Sequence, residues 1–94
     1  MATATVDGTV IAQSDATVVV EGNHYFPPDS IDWQFFSEID RTSGCPWKGT
    51  ANYYDVSVGD QVLAGVAWTY HEPKEAAAEI KDHVAFYPGV TVAA

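Results

Sequence analysis

The sequence contains a single cysteine, Cys45. A lone thiol forms no intrachain disulfide and supplies one ligand where a structural zinc site needs several. His24, His71 and His83 are scattered along the chain, and their spacing matches no zinc motif. We therefore expect no bound metal and no cofactor. The absence of paired cysteines also predicts a reducing compartment.

Positive charge is scarce as well. Four Lys and Arg stand against 13 Asp and Glu, which gives a formal net charge of −9 at pH 7, and the first basic side chain is Arg41. An acidic surface repels the phosphates of nucleic acids and of anionic membranes, so neither is expected as a partner. The same acidity also has a simple use, because net charge keeps a small protein soluble.

Long apolar runs are missing too. No segment approaches the roughly 20 apolar residues of a membrane-spanning helix, and Met1–Val6 has neither the basic start nor the apolar run of a signal peptide. We therefore predict a cytoplasmic protein. The chain has 94 residues, 47% of them hydrophobic, so it can form one core but not two. A single domain over residues 1–94 is expected.

Strand patterns account for most of the chain. Asp7-Gly8 lies between two short strand-like segments and predicts a tight hairpin. Thr17–Glu21 is rich in β-branched residues, and Ala51–Val58 alternates so that Tyr53 and Tyr54 point to opposite faces. Two further strands are predicted over residues 62–70 and, interrupted by a bend, over residues 85–92.

Two short helices are predicted between these strands. The first begins at Asp29 or Ser30 and runs through Ile39, and a polar, flexible segment follows it over residues 40–44. The second runs from Glu72 to about His83. The predicted fold class is therefore α+β: mainly antiparallel β, with about six strands in a partly open barrel or two packed sheets, and two short helices.

The most distinctive segment is Cys45-Pro46-Trp47-Lys48-Gly49. Lys48 is the only cation between Arg41 and Lys74, so it could form an anion site or, if desolvated, an amine of lowered pKa. The alternative is a lysine that forms one salt bridge with a nearby carboxylate. Cys45 has no base beside it in the sequence and precedes a proline, which favours a structural thiol over a nucleophile.

Aromatic and acidic residues elsewhere could complete a site. An aromatic wall with polar tips suits a small organic ligand, and a pocket could be lined by Tyr25, Tyr53, Trp68, Tyr70 and Tyr87. The same rings could instead belong to the core. Glu21 and Asp29 flank the segment around Tyr25 and could add carboxylates to the site, although Asp29 could also cap a helix.

Several short segments, taken in order, carry a resemblance to a known bacterial family. They are Val20-Glu21, Tyr25-Phe26-Pro27 with Asp29, Thr42 with Cys45-Pro46-Trp47-Lys48-Gly49, Ala51 with Tyr53-Tyr54, Ala67-Trp68 with Tyr70, Pro73, and Ala85-Phe86-Tyr87. The chain resembles domain-of-unknown-function family 427, whose name describes it as nucleotidyltransferase-like. The resemblance implies a compact, mainly antiparallel β domain without an established reaction.

The name of that family can be compared with the residues present. Nucleotidyl transfer needs paired carboxylates for Mg²⁺ and a cradle for phosphate. Between Gly44 and Gly49 only Lys48 could contact a phosphate, and the sequence has no P-loop spacing. Position 47, commonly Tyr in the family, is Trp here, which keeps the aromatic body and removes a hydroxyl.

Two functions are consistent with these observations. The first is the binding of a small, anionic organic ligand, with or without catalysis, in a pocket near the Cys45–Gly49 loop. A concave site that holds Lys48 would distinguish it. The second is a non-catalytic module that binds a protein partner or forms a homodimer through exposed aromatic residues. A flat, contiguous apolar patch would distinguish that one.

Overall fold

The computed structural model describes residues 1–94, and they form a mainly antiparallel β structure. The nine strands are β1 (Ala2–Val6), β2 (Thr9–Ser14), β3 (Val18–Val20), β4 (Asn23–Tyr25), β5 (Phe36–Cys45), β6 (Gly49–Val58), β7 (Gln61–Thr69), β8 (Val84–Phe86) and β9 (Thr91–Ala93). Helical structure is limited to three 3₁₀ helices, Pro28–Ser30, Trp33–Phe35 and Glu75–Ile80. No helix has the length and apolar character needed to cross a membrane. The predicted antiparallel β structure is confirmed, and the α+β class with two helices is wrong.

The strands form three sheets, none of which closes into a barrel. Their orders are β2-β1-β9, β3-β4 and β5-β6-β7-β8. Two backbone hydrogen bonds join β4 to β8: the Phe26 N–H donates to the Val84 carbonyl (2.8 Å), and the Val84 N–H donates to the Phe26 carbonyl (2.9 Å). The β3–β4 hairpin thereby lies along the outer edge of the four-stranded sheet.

Turn chemistry determines the two short hairpins. Asp7 and Gly8 both have positive φ, 48° and 79°, as a type I′ turn requires, so the predicted first hairpin is confirmed. Glu21 and Gly22 repeat this conformation, with φ of 53° and 81°, between β3 and β4. Glu21 is therefore the tip of a tight hairpin, and its side chain projects beyond the two strands.

The first predicted helix is wrong. The chain instead forms two 3₁₀ helices and then enters β5, which pairs with β6 and includes the segment 40–44 that was expected to be a flexible loop. Ile31, Phe35 and Ile39 recur at four-residue spacing, but Ile39 packs against a different core cluster from the other two, so the spacing does not mark a helical stripe. Asp29 forms no capping hydrogen bond.

The second predicted helix is replaced by the 3₁₀ helix Glu75–Ile80, which is interrupted at Ala77 (φ −122°, ψ 21°). Ala77 and Ile80 are nevertheless buried in the core. Residues 85–92 do not form one bent strand. They contribute to β8 and β9, which belong to different sheets, and this division raises the strand count above the predicted six.

Two core clusters occupy opposite faces of the four-stranded sheet. The larger has 14 buried residues, among them Tyr54 and its cross-strand partner Ala67, and it includes Ile11 of β2. The smaller has eight, among them Tyr53 and its partner Trp68. The predicted opposition of Tyr53 and Tyr54 is therefore confirmed, and both faces of the sheet are apolar because both are covered.

Candidate functional site

Most of the predicted site residues gather at the smaller core cluster, where the β3–β4 turn approaches the β5–β6 turn. The residues that meet there are Glu21, Tyr25, Cys45, Lys48, Tyr53 and Tyr70. Asp29 is the exception. It is exposed in the first 3₁₀ helix and forms no hydrogen bond or ion pair with any of them. We use the term Lys48 site for Glu21, Tyr25, Trp47, Lys48 and Tyr70.

The β5–β6 turn that carries Lys48 is fastened at its base. The Lys74 N–H donates to the Lys48 carbonyl (2.9 Å), and the Lys74 ammonium donates to the Pro46 carbonyl (2.7 Å). Gly49 follows with φ of 112°, and a Cβ on it would lie 3.4 Å from the Glu72 carbonyl oxygen. Glycine is needed there because L side chains rarely adopt this φ. The turn thus holds Lys48 in one position.

The Lys48 side chain is buried between aromatic rings and a carboxylate. Lys48 is 7% exposed, and its ammonium donates a hydrogen bond to Glu21 Oε1. Its Nζ lies 5.4 Å from the ring centroid of Trp47 and 5.7 Å from that of Tyr70, within the range of cation–π attraction. The predicted alternative, a lysine paired with a nearby carboxylate, is what the fold contains.

The electrostatics of the pair keep both groups charged. Burial is the largest single influence and disfavours the ammonium, but the hydrogen bond to Glu21 and the charge interactions with Tyr25, Tyr70 and Glu21 together outweigh it and hold the pKa of Lys48 above its ordinary value. The hydrogen bond and the positive charge of Lys48 lower the pKa of Glu21. Lys48 is therefore a permanent cation at neutral pH, and the expectation of an amine of lowered pKa is wrong.

The two partners differ in their access to water. The Glu21 side chain is 55% exposed, whereas that of Lys48 is 9% exposed. An ammonium has three N–H donors, and the Glu21 carboxylate is the only hydrogen-bond acceptor on this one. A buried cation thus depends on one carboxylate, which an exposed hairpin tip supplies.

Two tyrosines and the thiol complete the surroundings. The Trp68 indole N–H donates to the Tyr25 hydroxyl (3.2 Å), and the two rings meet edge to face. Burial raises the pKa of Tyr70, so its hydroxyl is neutral at pH 7. Cys45 is half-buried against the same cluster and is not in a disulfide. Its structural role stays a prediction.

The space around Lys48 is filled. The structure contains no ligand-sized cavity, so the predicted pocket near the Cys45–Gly49 loop is wrong for this conformation. Tyr25, Tyr53 and Tyr70 are packed in the smaller cluster, and Glu21 occupies the remaining face of the ammonium. No group of three or more His, Cys, Asp and Glu side chains is arranged to hold a metal ion.

Tyr53 has three polar neighbours: Tyr87, which was considered as a pocket residue, and Arg41 and Ser43, which the sequence patterns did not indicate. Ser43 Oγ is 2.7 Å from the Tyr53 hydroxyl, the Tyr87 hydroxyl is 3.5 Å from it, and the Arg41 guanidinium carbon is 4.8 Å from the Tyr53 ring centroid. Ser43 pairs with Ala51, which shares a face of β6 with Tyr53. Strand alternation would have placed Ser43 there if residues 40–44 had been recognised as a strand.

A further polar cluster, which we call the His71 clasp, lies beside Tyr54. His71 Nδ1 is 2.8 Å from Asp82 Oδ1, and His71 Nε2 is 2.8 Å from Glu38 Oε1. Both ring nitrogens donate only in the imidazolium form, and the hydrogen bond to Asp82 is the main reason that the pKa of His71 is raised. Burial and the charge of Glu38 raise the pKa of Tyr54 to about 12.

The segments that carry the family resemblance include those that build the Lys48 site: the β3–β4 tip, the Cys45–Gly49 turn, and the strand residues around Tyr53 and Tyr70. No curated protein matches the chain. The family described as "Domain of unknown function (DUF427)", named NTP_transf_9, matches residues 1–94. The chain is therefore a member of the DUF427 family.

Proposed function

We propose that the protein binds a small organic carboxylate at the Lys48 site, with the carboxylate of the ligand replacing that of Glu21 on the Lys48 ammonium. The observation that carries this proposal is the unequal pair: a buried lysine whose only hydrogen-bond acceptor belongs to an exposed turn residue. A cation held between aromatic rings attracts an anion strongly, because little water is present to screen it.

Glu21 is well placed to leave. It lies at a two-residue turn between strands of three residues each, and the backbone hydrogen bonds that join this hairpin to β8 are made at Phe26, at the other end of β4 from the turn. Because the Glu21 carboxylate is already half in water, moving the turn outward returns it to solvent at small cost. The conformation in which Glu21 contacts Lys48 would then be the ligand-free form, and the Glu21 carboxylate would occupy the place of the ligand carboxylate.

The neighbouring rings suit a ligand with a planar apolar body. Trp47 is 40% exposed beside the ammonium, and an aromatic ring can stack on it or meet its edge. Tyr70 supplies a second ring on the buried side. An aromatic carboxylate would therefore use the cation for its charged group and the Trp47 ring for its body.

The experiment is a titration of ¹⁵N-labelled protein with benzoate, followed by NMR. We expect the amide shifts of Glu21, Trp47 and Lys48 to change and to saturate. Removing a charge-assisted contact costs about 1.5–3 kcal/mol, so Lys48→Met should weaken binding by about tenfold or more. Lys81→Met is the matched control, because Lys81 is exposed and forms no ion pair. Equal affinity in Lys48→Met and wild type would refute the proposal.

The second candidate is homodimerisation through exposed aromatic residues. Its supporting observation is that Trp33, Trp47 and Tyr87 are each about two-fifths exposed. Trp33 packs on Phe36 at the larger cluster, whereas Trp47 adjoins the smaller one. Native mass spectrometry separates the candidates: a dimer without a bound small mass favours association, and a monomer that carries one favours ligand binding.

A further inference from the structure

The structure assigns a second binding site, separate from the Lys48 site, to Arg41, Ser43, Tyr53 and Tyr87. We infer that this Arg41 site takes a phosphate monoester carried on a planar ring. The inference rests on how the backbone aims Arg41, on the unused donors of its guanidinium, and on the hydroxyl groups beside it.

Two bulges position Arg41. The β5–β6 register shifts between Ile39 and Thr42, which leaves Arg41 without a partner on β6, and the β6–β7 register shifts nearby between Tyr54 and Val56. A bulge redirects side chains out of the regular alternation and is common beside functional sites. The first bulge brings the guanidinium over the Tyr53 ring.

Gly65 makes room for the guanidinium. It lies within the second bulge, on β7, with φ of 59°, and its N–H donates to Asp55 Oδ1 (2.8 Å). A Cβ at this position would lie 2.8 Å from Arg41 Nη1. Arg41 is exposed, and at this point its guanidinium lies against the backbone of β7.

The guanidinium has no protein acceptor. Arg41 is the only arginine in a chain with 13 acidic residues, yet it forms no ion pair and no hydrogen bond. Its five N–H donors lie in a planar fork that matches the oxygens of phosphate or carboxylate. The guanidinium lies over the Tyr53 ring, with its carbon 4.8 Å from the ring centroid, and its N–H donors are available to an anion.

Hydroxyl groups favour phosphate over carboxylate. The hydroxyls of Ser43, Tyr53 and Tyr87 form a chain, with oxygen separations of 2.7 and 3.5 Å. Burial acts to raise the pKa of Tyr53, but the hydrogen bonds of Ser43 and Tyr87 and the charge of Arg41 lower it, so this chain lies within the field of the guanidinium. A phosphate monoester presents three terminal oxygens to such donors, and a carboxylate presents two.

The exposed ring of Tyr87 is the reason why we expect the ligand to have a planar body. The Tyr87 and Tyr53 rings are parallel within 2°, and the Tyr87 side chain is 42% exposed. The Trp68 ring also lies against Tyr87, with centroids 4.5 Å apart, and the rest of the Tyr87 ring is exposed to solvent. A planar group attached to the phosphate can pack against this surface by the offset geometry that aromatic rings prefer.

The test is an NMR titration with phenyl phosphate, alongside inorganic phosphate and phenol. We expect saturable shifts at Ser43, Tyr53 and Tyr87, with phenyl phosphate binding more tightly than either fragment. Arg41→Gln should weaken binding by about tenfold or more. Arg41→Lys should fall between wild type and Arg41→Gln, because a lysine keeps the charge but not the fork. Circular dichroism confirms that each variant is folded.

A pair of glycine variants tests the positioning of Arg41 while leaving Arg41 unchanged. Gly65→Ala should displace the guanidinium and weaken binding, whereas Gly8→Ala shares the positive φ but has nothing within 4 Å of its Cβ and should bind normally. Lys81→Met, at an exposed lysine outside both sites, should also bind phenyl phosphate normally. Unchanged affinity in Arg41→Gln, shifts confined to Glu21 and Trp47, or inorganic phosphate binding as tightly as phenyl phosphate would each overturn the inference.

Discussion

At the scale of single residues, the Lys48–Glu21 pair has an asymmetry that mutation can expose. Removing Glu21 leaves a buried ammonium without its charge partner, whereas removing Lys48 leaves a carboxylate that is half exposed to water. The loss of one partner of a buried pair is costly because the other keeps its charge without compensation. The same loss costs little when the remaining group is hydrated.

We therefore expect Glu21→Gln to destabilise the protein more than Lys48→Met. Methionine fills most of the volume of the lysine stem, so Lys48→Met should change the free energy of unfolding by no more than about 1 kcal/mol. Urea unfolding of both variants at pH 7 measures the difference. A larger loss in Lys48→Met than in Glu21→Gln would contradict the asymmetry.

The sequence indicated both residues of this pair as site candidates, but it did not predict that they pair with each other. Lys48 is noticeable as a cation in an acidic stretch, and Glu21 as an acid beside an aromatic segment. They are 27 residues apart in different hairpins, and no turn signal or periodicity connects two hairpin tips. The pocket was mispredicted for the same reason, since the group that fills it comes from that distant turn.

At the scale of secondary structure elements, the His71 clasp joins segments that are far apart in the sequence. His71 follows β7, Glu38 lies in β5, and Asp82 precedes β8. The clasp therefore fastens both outer strands of the four-stranded sheet to the end of an inner one. Tyr54 lies beneath it with its hydroxyl facing the same two carboxylates.

The clasp predicts a dependence of stability on pH. Because the folded-state pKa of His71 is raised, its contribution is complete below the unfolded pKa of about 6.5 and is lost as the pH rises through the folded value. The gain should be below about 1 kcal/mol, because water screens a half-exposed cluster. His71→Gln should flatten the profile in urea melts between pH 5 and 9.

His83→Gln is the matched control for that measurement, because the His83 ring contacts the Lys81 carbonyl and no carboxylate. It should leave the slope of the profile unchanged. If His71→Gln retained the wild-type dependence of stability on pH, the His71 clasp would not be the source of that dependence.

The secondary structure could be predicted from the sequence where the residues of a short segment determine its conformation. Asp7-Gly8 favours the I′ turn that the fold contains, because both positions accept positive φ. The first helix failed because its apolar spacing also suits a chain that enters a strand, and pairing with β6 supplied the hydrogen bonds that a helix would have made internally. The bulge at Arg41 depends on that pairing, so no local pattern could predict it.

At the scale of the whole molecule, the four-stranded sheet lies between the two core clusters, and its strands contribute residues to both. Ile11 belongs to the larger cluster and Ile80 to the smaller, and both are fully buried. Because neighbouring residues of one strand enter different clusters, we expect the two sides to unfold together. Composition predicted a single core, and the chain forms two clusters by covering both faces of one sheet.

The matched pair Ile11→Ala and Ile80→Ala tests this coupling. Each should lower the free energy of unfolding by about 2–5 kcal/mol, the usual range for truncating a buried isoleucine. Far-UV circular dichroism and tryptophan fluorescence should still report coincident transitions in both variants. Separate transitions in Ile80→Ala would show that the smaller cluster unfolds independently.

The claim that Glu21 occupies the place of a ligand carboxylate is tested most directly by the affinity of Glu21→Gln for benzoate. Removing an internal competitor leaves the Lys48 ammonium available, so this variant should bind benzoate about tenfold more tightly than wild type. Glu79→Gln removes the same charge from an exposed position and controls for the overall acidity. Isothermal titration calorimetry on the three proteins measures the effect: tighter binding in Glu21→Gln alone is the predicted result, and equal or weaker binding in that variant would contradict the account.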